Sequence, residues 1–386
     1  MKNYDVVVAG YICVDLVLDF KKNKSVTNLS NYFLPGKLIE INGMNFILGG
    51  VVANTGLALG IFNKKVFLNG LVGDDFLGKV AKDWFEKYNI SKGILTTTLE
   101  GTAFSIVFAP PGVDRIFLES PGCNQIFDKS FINFNAISQS RLFHFGYPPL
   151  LKQFFKNKGN QLVDLFSKVQ GMGVVTSLDF SLPDPESESA SVNWPEIMKS
   201  VLPFTDIFAP SLEESLMIFF PSKYAELQLS YGDSDISDHT SIDLIRILGK
   251  HILDLGVKIL LIKMAHRGVY LLTGDVSSIN ENEGFNLPAK SWNFRELWLE
   301  GYHADESKMI NSTGAGDTAI AAFLSAILDG YSPESSIKYA AMAGRNNLYC
   351  HSIYEELSGW SEMTTEINSC HNESVCFDRE LSNLLS

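Results

Sequence analysis

The chain has 386 residues, of which 46% are hydrophobic and 19% charged, values typical of a folded globular protein with a large apolar core. Its 31 basic and 44 acidic residues give a net charge of -13, which argues against the broad basic surface of a nucleic-acid-binding protein. The sequence lacks the run of roughly 18 apolar residues that a membrane span needs, and its five cysteines are odd in number and lack the short spacing of a zinc site or redox motif, so we expect a cytoplasmic protein without nucleic-acid or membrane partners.

Short apolar runs alternate with longer amphipathic segments along most of the chain. The apolar runs are rich in β-branched and aromatic residues and predict strands at 5–9, 66–72, 142–145, 174–179, 206–209 and 259–263. The amphipathic segments predict helices at 54–62, 78–88, 161–169 and 242–255. This alternation predicts an α/β fold with a mostly parallel central sheet and helices on both faces. Ligands of such sheets bind beyond the carboxyl ends of the strands, so functional residues should follow the apolar runs.

Two segments interrupt this alternation. Residues near 17–46 and 102–119 contain strand-like patches and turn residues such as Pro110 and Gly112, without helical periodicity. They predict a small additional β-sheet, with segments at approximately 16–46 and 98–121.

Polar segments set the remaining boundaries. Residues 183–191 and 230–240 are acidic, serine-rich and poor in apolar residues, which predicts solvated loops rather than binding sites. Polar residues also prevail after Trp360. We therefore expect one domain over residues 1–362 and a polar C-terminal tail over 363–386.

The most informative motif is NSTGAGDT at residues 311–318, followed by strong helix formers. Small residues let a ligand approach amide N–H groups that have no partner within the helix and lie at the positive end of its dipole. The turn of Gly314, Ala315 and Gly316 therefore predicts an anion-binding site. Asp317 falls in the first helical turn, where its carboxylate can take a proton from a hydroxyl beside the anion. Alone, the motif also fits a tight turn with a capping aspartate.

The other motifs of the chain favour the functional interpretation of this one. The chain contains neither a GxxxxGK[ST] phosphate loop nor a GxGxxG dinucleotide fingerprint. From residue 5 to about 349 it instead resembles, in the order of its motifs, the PfkB carbohydrate kinases, the ribokinase-like family. The resemblance implies a ribokinase-like fold with the small sheet as a lid, and ATP and Mg²⁺ as ligands. It also implies that the glycine turn stabilises a transferring phosphoryl group while Asp317 acts as the base.

Motifs in the first third of the chain resemble the sugar-binding part of the family. Asp15 follows the first strand, where the family's acidic residue accepts hydrogen bonds from sugar hydroxyls. The motif GGVVAN resembles the first family signature, in which Gly49 and Gly50 permit close backbone approach and Asn54 offers a donor and an acceptor. Turn roles stay open for Asp15 and the glycine pair. Arg115, in the family's lid hairpin, either reaches substrate or lies solvated on a strand edge.

Motifs in the second half resemble the nucleotide side. Glu214 matches the acidic residue of the family's Asn-x-x-Glu motif, which organises magnesium and phosphate, whereas Ser211 replaces the Asn. Lys263 could approach nucleotide or shield a neighbouring carboxylate, and Ala265 replaces the usual glycine of the next turn. The resemblance assigns nucleotide binding to Ser211, Lys263, Ala265, Gly268 and Thr313, and metal binding to Glu214.

The sequence thus predicts an ATP-dependent sugar kinase, with alternatives. Asn311 stands where potassium-activated relatives carry an Asp, so a monovalent cation requirement is doubtful. The resemblance allows a homodimer through the lid. A nucleoside kinase of the same fold would use the same Asp317, and Phe104 and Phe108 on the lid would serve either a nucleobase slot or packing. The replacements at Ser211, Ala265 and Asn311 also leave open a catalytically silent ligand-binding member.

Overall fold

The computed structural model describes residues 2–20, 33–108, 110, 116–232, 234–310, 312–370 and 375–377. These residues form a 10-stranded and a 4-stranded β-sheet. The strands are β1 (Tyr4–Gly10), β2 (Cys13–Asp19), β3 (Gly43–Gly49), β4 (Val66–Gly73), β5 (Ile94–Thr97), β6 (Phe104–Phe108), β7 (Ile116–Ser120), β8 (Ser140–Gly146), β9 (Val175–Leu178), β10 (Ile207–Phe208), β11 (Ile259–Lys263), β12 (Val269–Thr273), β13 (Glu296–Leu299) and β14 (Val375–Cys376).

The helices that cover and connect these strands are α1 (Val51–Ile61), α2 (Phe76–Lys87), α3 (Phe134–Ser138), α4 (Lys152–Gly171), α5 (Trp194–Val201), α6 (Leu212–Phe219), α7 (Pro221–Tyr231), α8 (Ile242–Asp254), α9 (Ala289–Trp292), α10 (Ala315–Leu328), α11 (Pro333–Asn347), α12 (Ile353–Glu356) and α13 (Trp360–Ser369). The local sequence explains where some of these helices begin. Asp75 caps α2 because its side chain accepts a hydrogen bond from the Gly78 amide, and Ser241 caps α8 in the same way through the Leu244 amide.

The large sheet has the order β14-β13-β12-β11-β10-β9-β8-β1-β4-β5. Its pairs are parallel from β5 to β11, and β12, β13 and β14 continue it antiparallel. Each of the six predicted strands corresponds to one of β1, β4 and β8–β11. The predicted mostly parallel α/β sheet is therefore confirmed, and its antiparallel edge is an addition to the prediction.

Helices bury both faces of this sheet. Successive residues of β1 alternate between two apolar cores, with Val6 and Val8 in one and Val7 and Ala9 in the other. The first core lies under α1, α2, α10 and α11, and the second under α3, α4, α5, α6 and α8. Helix α10 is buried from Asp317 to Leu328 because its sequence is apolar or small on every side.

The small sheet has the order β3-β2-β6-β7. Its first two strands extend beyond both ends of the predicted segment 16–46, because β2 begins at Cys13 and β3 ends at Gly49. Its register aligns Asp15 with Ser105, and Ser105 with Glu119, so these three polar residues share one face. Phe104 and Phe108 alternate with Ser105 along β6 and therefore lie on the opposite face. Arg115 and the adjoining residues 111–114 of the predicted hairpin lie outside the described residues.

The C-terminal region is more structured than the sequence suggested. The boundary predicted at residue 362 falls inside α13, which spans Trp360–Ser369. This helix packs on the domain, since Met363 is fully buried and the Trp360 ring stacks on the Tyr339 ring with 4.0 Å between centroids. Farther along, β14 pairs with β13. The predicted tail at 363–386 thus contributes packed structure among its described residues. None of the described helices is long and apolar enough to cross a membrane.

Candidate active site

Asp317 lies at the start of α10, where it accepts hydrogen bonds from three side chains. Tyr147 Oη and Asn54 Nδ2 donate to Oδ2 over 2.7 and 3.0 Å, and Thr55 Oγ1 donates to Oδ1 over 3.1 Å. The Asp317 side chain is only 3% exposed. Burial raises the pKa of this carboxyl, and the three donors oppose that rise. Asp317 is thus a fixed carboxylate at a helix N-terminus.

The turn before Asp317 has the geometry that its glycines allow. Gly314 caps α10 with φ of 78°, a left-handed conformation that favours glycine, and its carbonyl accepts the Thr318 amide at 2.9 Å. The Ala315 amide donates to Ser312 O over 3.2 Å. Among the described residues, the amides of Gly314, Gly316 and Asp317 have no such partner. Of the predicted turn, Ala315 thus donates its amide to the backbone, whereas the amides of Gly314 and Gly316 do not, and the Asp317 amide next to them does not either.

Asn347, at the end of α11, fixes the preceding residue of this turn. Its Nδ2 donates to Thr313 O over 2.9 Å, and its side chain is buried. The carbonyl of Thr313 and the amide of Gly314 belong to one planar peptide and point in opposite directions. Holding the Thr313 carbonyl therefore orients the Gly314 amide toward the other side. The structure thus gives Thr313, predicted to bind nucleotide, a backbone role in this turn.

A buried ion pair lies beside the turn. Lys263 Nζ, at the end of β11, is 2.8 Å from Asp179 Oδ1, and the two side chains are 13% and 1% exposed. A Cβ on Gly316 would be 3.4 Å from Lys263 Nζ, so the ammonium group borders the glycine turn. Burial lowers the pKa of Lys263, but Asp179 and Glu214 more than offset this and raise it above its ordinary value. Lys263 therefore supplies a positive charge next to the proposed anion site while it shields Asp179.

Ser211 and Glu214 cap helix α6 reciprocally. Ser211 Oγ accepts the Glu214 amide over 3.1 Å, and Glu214 Oε2 accepts the Ser211 amide over 2.7 Å. The end of β11 is adjacent, because Ser211 and Lys263 form a backbone bridge. The serine hydroxyl is thus engaged in the cap, whereas the Oε1 oxygen of Glu214 has no partner among the described residues and remains able to bind a ligand.

The turn after β11 borders a cavity of about 430 Å³. Ala265 adopts φ of 47°, which is uncommon outside glycine, so this position has a left-handed conformation that glycine would adopt more readily. Gly268 packs against β13, since a Cβ there would lie 2.1 Å from Leu299 O. The cavity is lined in part by Ser211, Glu213, Asp235, Ser237, Lys263 and Ala265. Residues of the predicted solvated loop 230–240 therefore line a concave surface.

Asp15 presents a second buried carboxylate, which follows β1 in the chain and lies on strand β2. Burial raises its pKa to about 6, with Cys13 and Ser105 opposing the rise by hydrogen bonding and the Glu119 charge adding to it. A Cβ on Gly49 would be 2.6 Å from Asp15 Oδ2, so this glycine permits the close approach. Gly50 follows as the N-cap of α1, which carries Asn54 to Asp317.

Sequence reasoning missed four residues of this site: Asp179, Tyr147, Thr55 and Asn347. Asp179 and Tyr147 directly follow strands β9 and β8, so the rule that ligands bind beyond carboxyl strand ends could have identified them. Thr55 is adjacent to the predicted Asn54. Two residues of the sequence-based site, Arg115 and Asn311, lie outside the described residues.

Comparisons with known proteins identify the family of the chain. Residues 4–290 and 300–356 match the model of the pfkB family carbohydrate kinases. Over 321 residues the chain is 22% identical to the probable fructokinase-2 of Arabidopsis thaliana, covering 82% of this chain and 81% of that protein.

Two solved structures share the fold. The fructokinase of Xylella fastidiosa with bound ATP has a TM-score of 0.68 at 15% identity, covering 94% of this chain and 98% of the other. The nucleoside kinase of Methanocaldococcus jannaschii, an archaeal member of the ribokinase family, has a TM-score of 0.65 at 17% identity, covering 96% and 99%. The predicted ribokinase-like fold is confirmed, and at such identities the likeness extends to the fold alone.

Proposed function

Because the chain belongs to the PfkB family of carbohydrate kinases, we propose that it transfers the γ-phosphoryl group of ATP to a hydroxyl of a small sugar, with Asp317 as general base. The observation that carries the proposal is the Asp317 carboxylate held beside a glycine turn with available amides and next to the Lys263 ammonium group. A proton acceptor, neutral amide donors and a positive charge are therefore neighbours at the start of α10. Phosphoryl transfer depends mainly on such positioning and electrostatic stabilisation.

The roles of the residues follow from their chemistry. The amides of Gly314, Gly316 and Asp317 would donate to oxygens of the transferring group, with Asn347 fixing the peptide before Gly314. Lys263 would add its charge on the same side. Asp317 would take the proton of the attacking hydroxyl, as a base within hydrogen-bond reach can.

The nucleotide side fits a magnesium complex of ATP. Magnesium ions in such sites are held largely by substrate phosphates and waters, with one or two carboxylates. Glu214, whose Oε1 remains available, would contact the ion through water. When bound, Mg²⁺ would neutralise phosphate charge. The turn Ala265–Gly268 and the Ser211 end of α6 would line the nucleotide.

The small sheet favours a sugar over a nucleoside as acceptor. Its face with Asp15, Ser105 and Glu119 offers hydroxyl partners, whereas Phe104 and Phe108 lie on the opposite face and Phe108 packs on Phe33 at 5.5 Å. A nucleobase would need an apolar slot, which these two rings do not supply on the polar face. Ile116 and Leu118 of β7 are exposed on the face opposite the polar one, and this apolar surface supports the proposed homodimer through this sheet.

A coupled ADP-release screen tests the proposal. Hexoses, pentoses, sugar acids, polyols and nucleosides are offered with ATP and Mg²⁺, and kcat/KM is compared. We expect a neutral monosaccharide to lead. A nucleoside ahead by tenfold or more would replace the sugar kinase by the nucleoside kinase, and no turnover of any acceptor would favour a silent ligand-binding protein.

Asp15→Ala should raise KM for the best sugar, because two buried hydroxyls would lose their acceptor. The expected cost is roughly 1 to 3 kcal/mol, or ~5- to 150-fold in KM. In the wild type, KM should also rise as the pH falls through about 6, because protonation of Asp15 removes acceptor capacity. Asp19→Ala, at the exposed end of the same strand, is the control. An unchanged KM in Asp15→Ala would remove Asp15 from the sugar site.

Potassium should alter activity little. The neutral Asn311 removes a charge that a cation site would need. Initial rates in potassium, sodium and choline chloride at equal ionic strength should agree within about twofold. A saturable activation by potassium alone would show that other ligands complete a cation site.

A further inference from the structure

We infer that Tyr147 is a positioning residue for the base: its hydroxyl holds Oδ2 of Asp317 and keeps the carboxylate ionised, which leaves Oδ1 to take the substrate proton. The inference rests on the proposed function in assigning Asp317 as base. It adds to that function which oxygen of Asp317 accepts the proton and which residue leaves that oxygen available.

The hydrogen bonds of Asp317 distinguish its two oxygens. A carboxylate has about four acceptor positions, two on each oxygen. Oδ2 receives both Tyr147 Oη and Asn54 Nδ2, which fill its positions. Oδ1 receives only Thr55 Oγ1 among the described residues, so one position is left. A substrate hydroxyl can therefore donate to Oδ1 without displacing a protein donor.

The backbone at Tyr147 is consistent with a functional constraint. Tyr147 follows β8 directly and has φ of 62°, a left-handed conformation that is an outlier for a bulky side chain. Such conformations persist where the surroundings determine them, and they cluster at functional sites. Pro148 and Pro149 follow, and the Tyr11 ring lies 6.2 Å from the Tyr147 ring. From this position the Tyr147 hydroxyl donates to Oδ2 of Asp317.

Charged groups face Asp317 from several elements. Lys263 lowers its pKa, and Lys263 in turn interacts with Asp179 and Glu214. From α1, Asn54 and Thr55 approach as neutral donors. Tyr147 is also a neutral donor, so Tyr147→Phe removes a hydrogen bond without changing the charge of the cluster. A bond to the ionised form lowers a pKa, so its loss should raise the pKa of Asp317.

The test is the pH dependence of kcat in wild type and Tyr147→Phe, at sugar and ATP concentrations that stay saturating across the pH range, so that the effect of Asp15 protonation on KM does not contribute. The acid limb, where activity is lost as Asp317 is protonated, should move to higher pH by about one unit in the variant. At pH values above this limb, the ratio of the two activities should be closer to one than it is within the limb. Tyr11→Phe is the matched control, because its hydroxyl donates to Glu119 instead, and its acid limb should stay in place. An unmoved limb in Tyr147→Phe would overturn the inference.

Infrared titration separates this inference from the proposed function. The carboxyl C=O band that disappears in Asp317→Asn reports the protonation of Asp317 without substrate. That band should titrate at higher pH in Tyr147→Phe than in wild type. This shift would support the role of Tyr147 even if no sugar were phosphorylated, whereas unchanged titration in an active enzyme would reject Tyr147 and leave the kinase assignment intact.

Discussion

Replacing Asp317 by Asn is expected to lower kcat by ~10²- to 10⁴-fold, the usual range for loss of a general base. An amide cannot take the proton of the attacking hydroxyl. The fold should survive, because the Asn oxygen can accept the hydrogen bonds that Tyr147 and Asn54 donate to Asp317. The NH₂ group of the Asn would face Thr55, whose hydroxyl can rotate to accept a hydrogen bond from it. The measurement is kcat at saturating sugar and ATP.

Asp329→Asn is the matched control for this substitution. Asp329 lies at the other end of α10 and is 40% exposed in an ion pair with Lys64. Its replacement should leave kcat within about twofold, because Asp329 lies at the opposite end of the helix, roughly 18 Å from Asp317 at a rise of ~1.5 Å per residue. ATP binding by calorimetry should be retained in both variants. Full activity of Asp317→Asn would reject Asp317 as base.

Lys263→Met is expected to destabilise the protein by roughly 3 to 5 kcal/mol. Met replaces the length of the side chain but leaves the Asp179 carboxylate buried without its partner. The loss in free energy of unfolding should be greater at pH 7.5 than at pH 5, because protonation of Asp179 removes the buried charge. Denaturant unfolding at the two pH values measures both effects.

The double variant Lys263→Met, Asp179→Asn separates the two roles of Lys263. Removal of both charges should recover part of the lost stability, because no buried charge is left unpaired. Activity should stay low if Lys263 also assists phosphoryl transfer. A double variant as unstable as Lys263→Met would show that the ion pair does not account for the loss, and recovered activity would limit Lys263 to shielding Asp179.

Much of the central sheet could be predicted from the sequence, because most of its strands are short apolar runs, and such runs predict buried strands. Strands β1 and β4, buried on both faces, carry little but apolar residues. The last two strands of the chain, β13 and β14, are short, and β14 consists of two exposed residues, so neither has a readable pattern. Likewise, the buried Met363 of α13 lies in a polar stretch where composition indicated a tail.

The site was predictable where its residues are close in sequence. Gly314, Gly316 and Asp317 form one local motif, and the Ser-x-x-Glu spacing of Ser211 and Glu214 also matches the capping box that the structure contains. The partners of Asp317 are far from it along the chain: Tyr147 is 170 positions away and Asn54 is 263. Such pairings arise from the strand order and not from a local pattern.

We propose that this chain moves a phosphoryl group from ATP to a sugar hydroxyl by means of Asp317. The most direct test is ³¹P NMR of wild type and Asp317→Asn incubated with ATP, Mg²⁺ and the best acceptor of the screen. In wild type we expect a sugar phosphate ester resonance that grows as the γ-phosphate signal falls, and in the variant the same change at a rate lower by ~10²- to 10⁴-fold. Growth of inorganic phosphate alone, or equal ester formation by the two proteins, would contradict it.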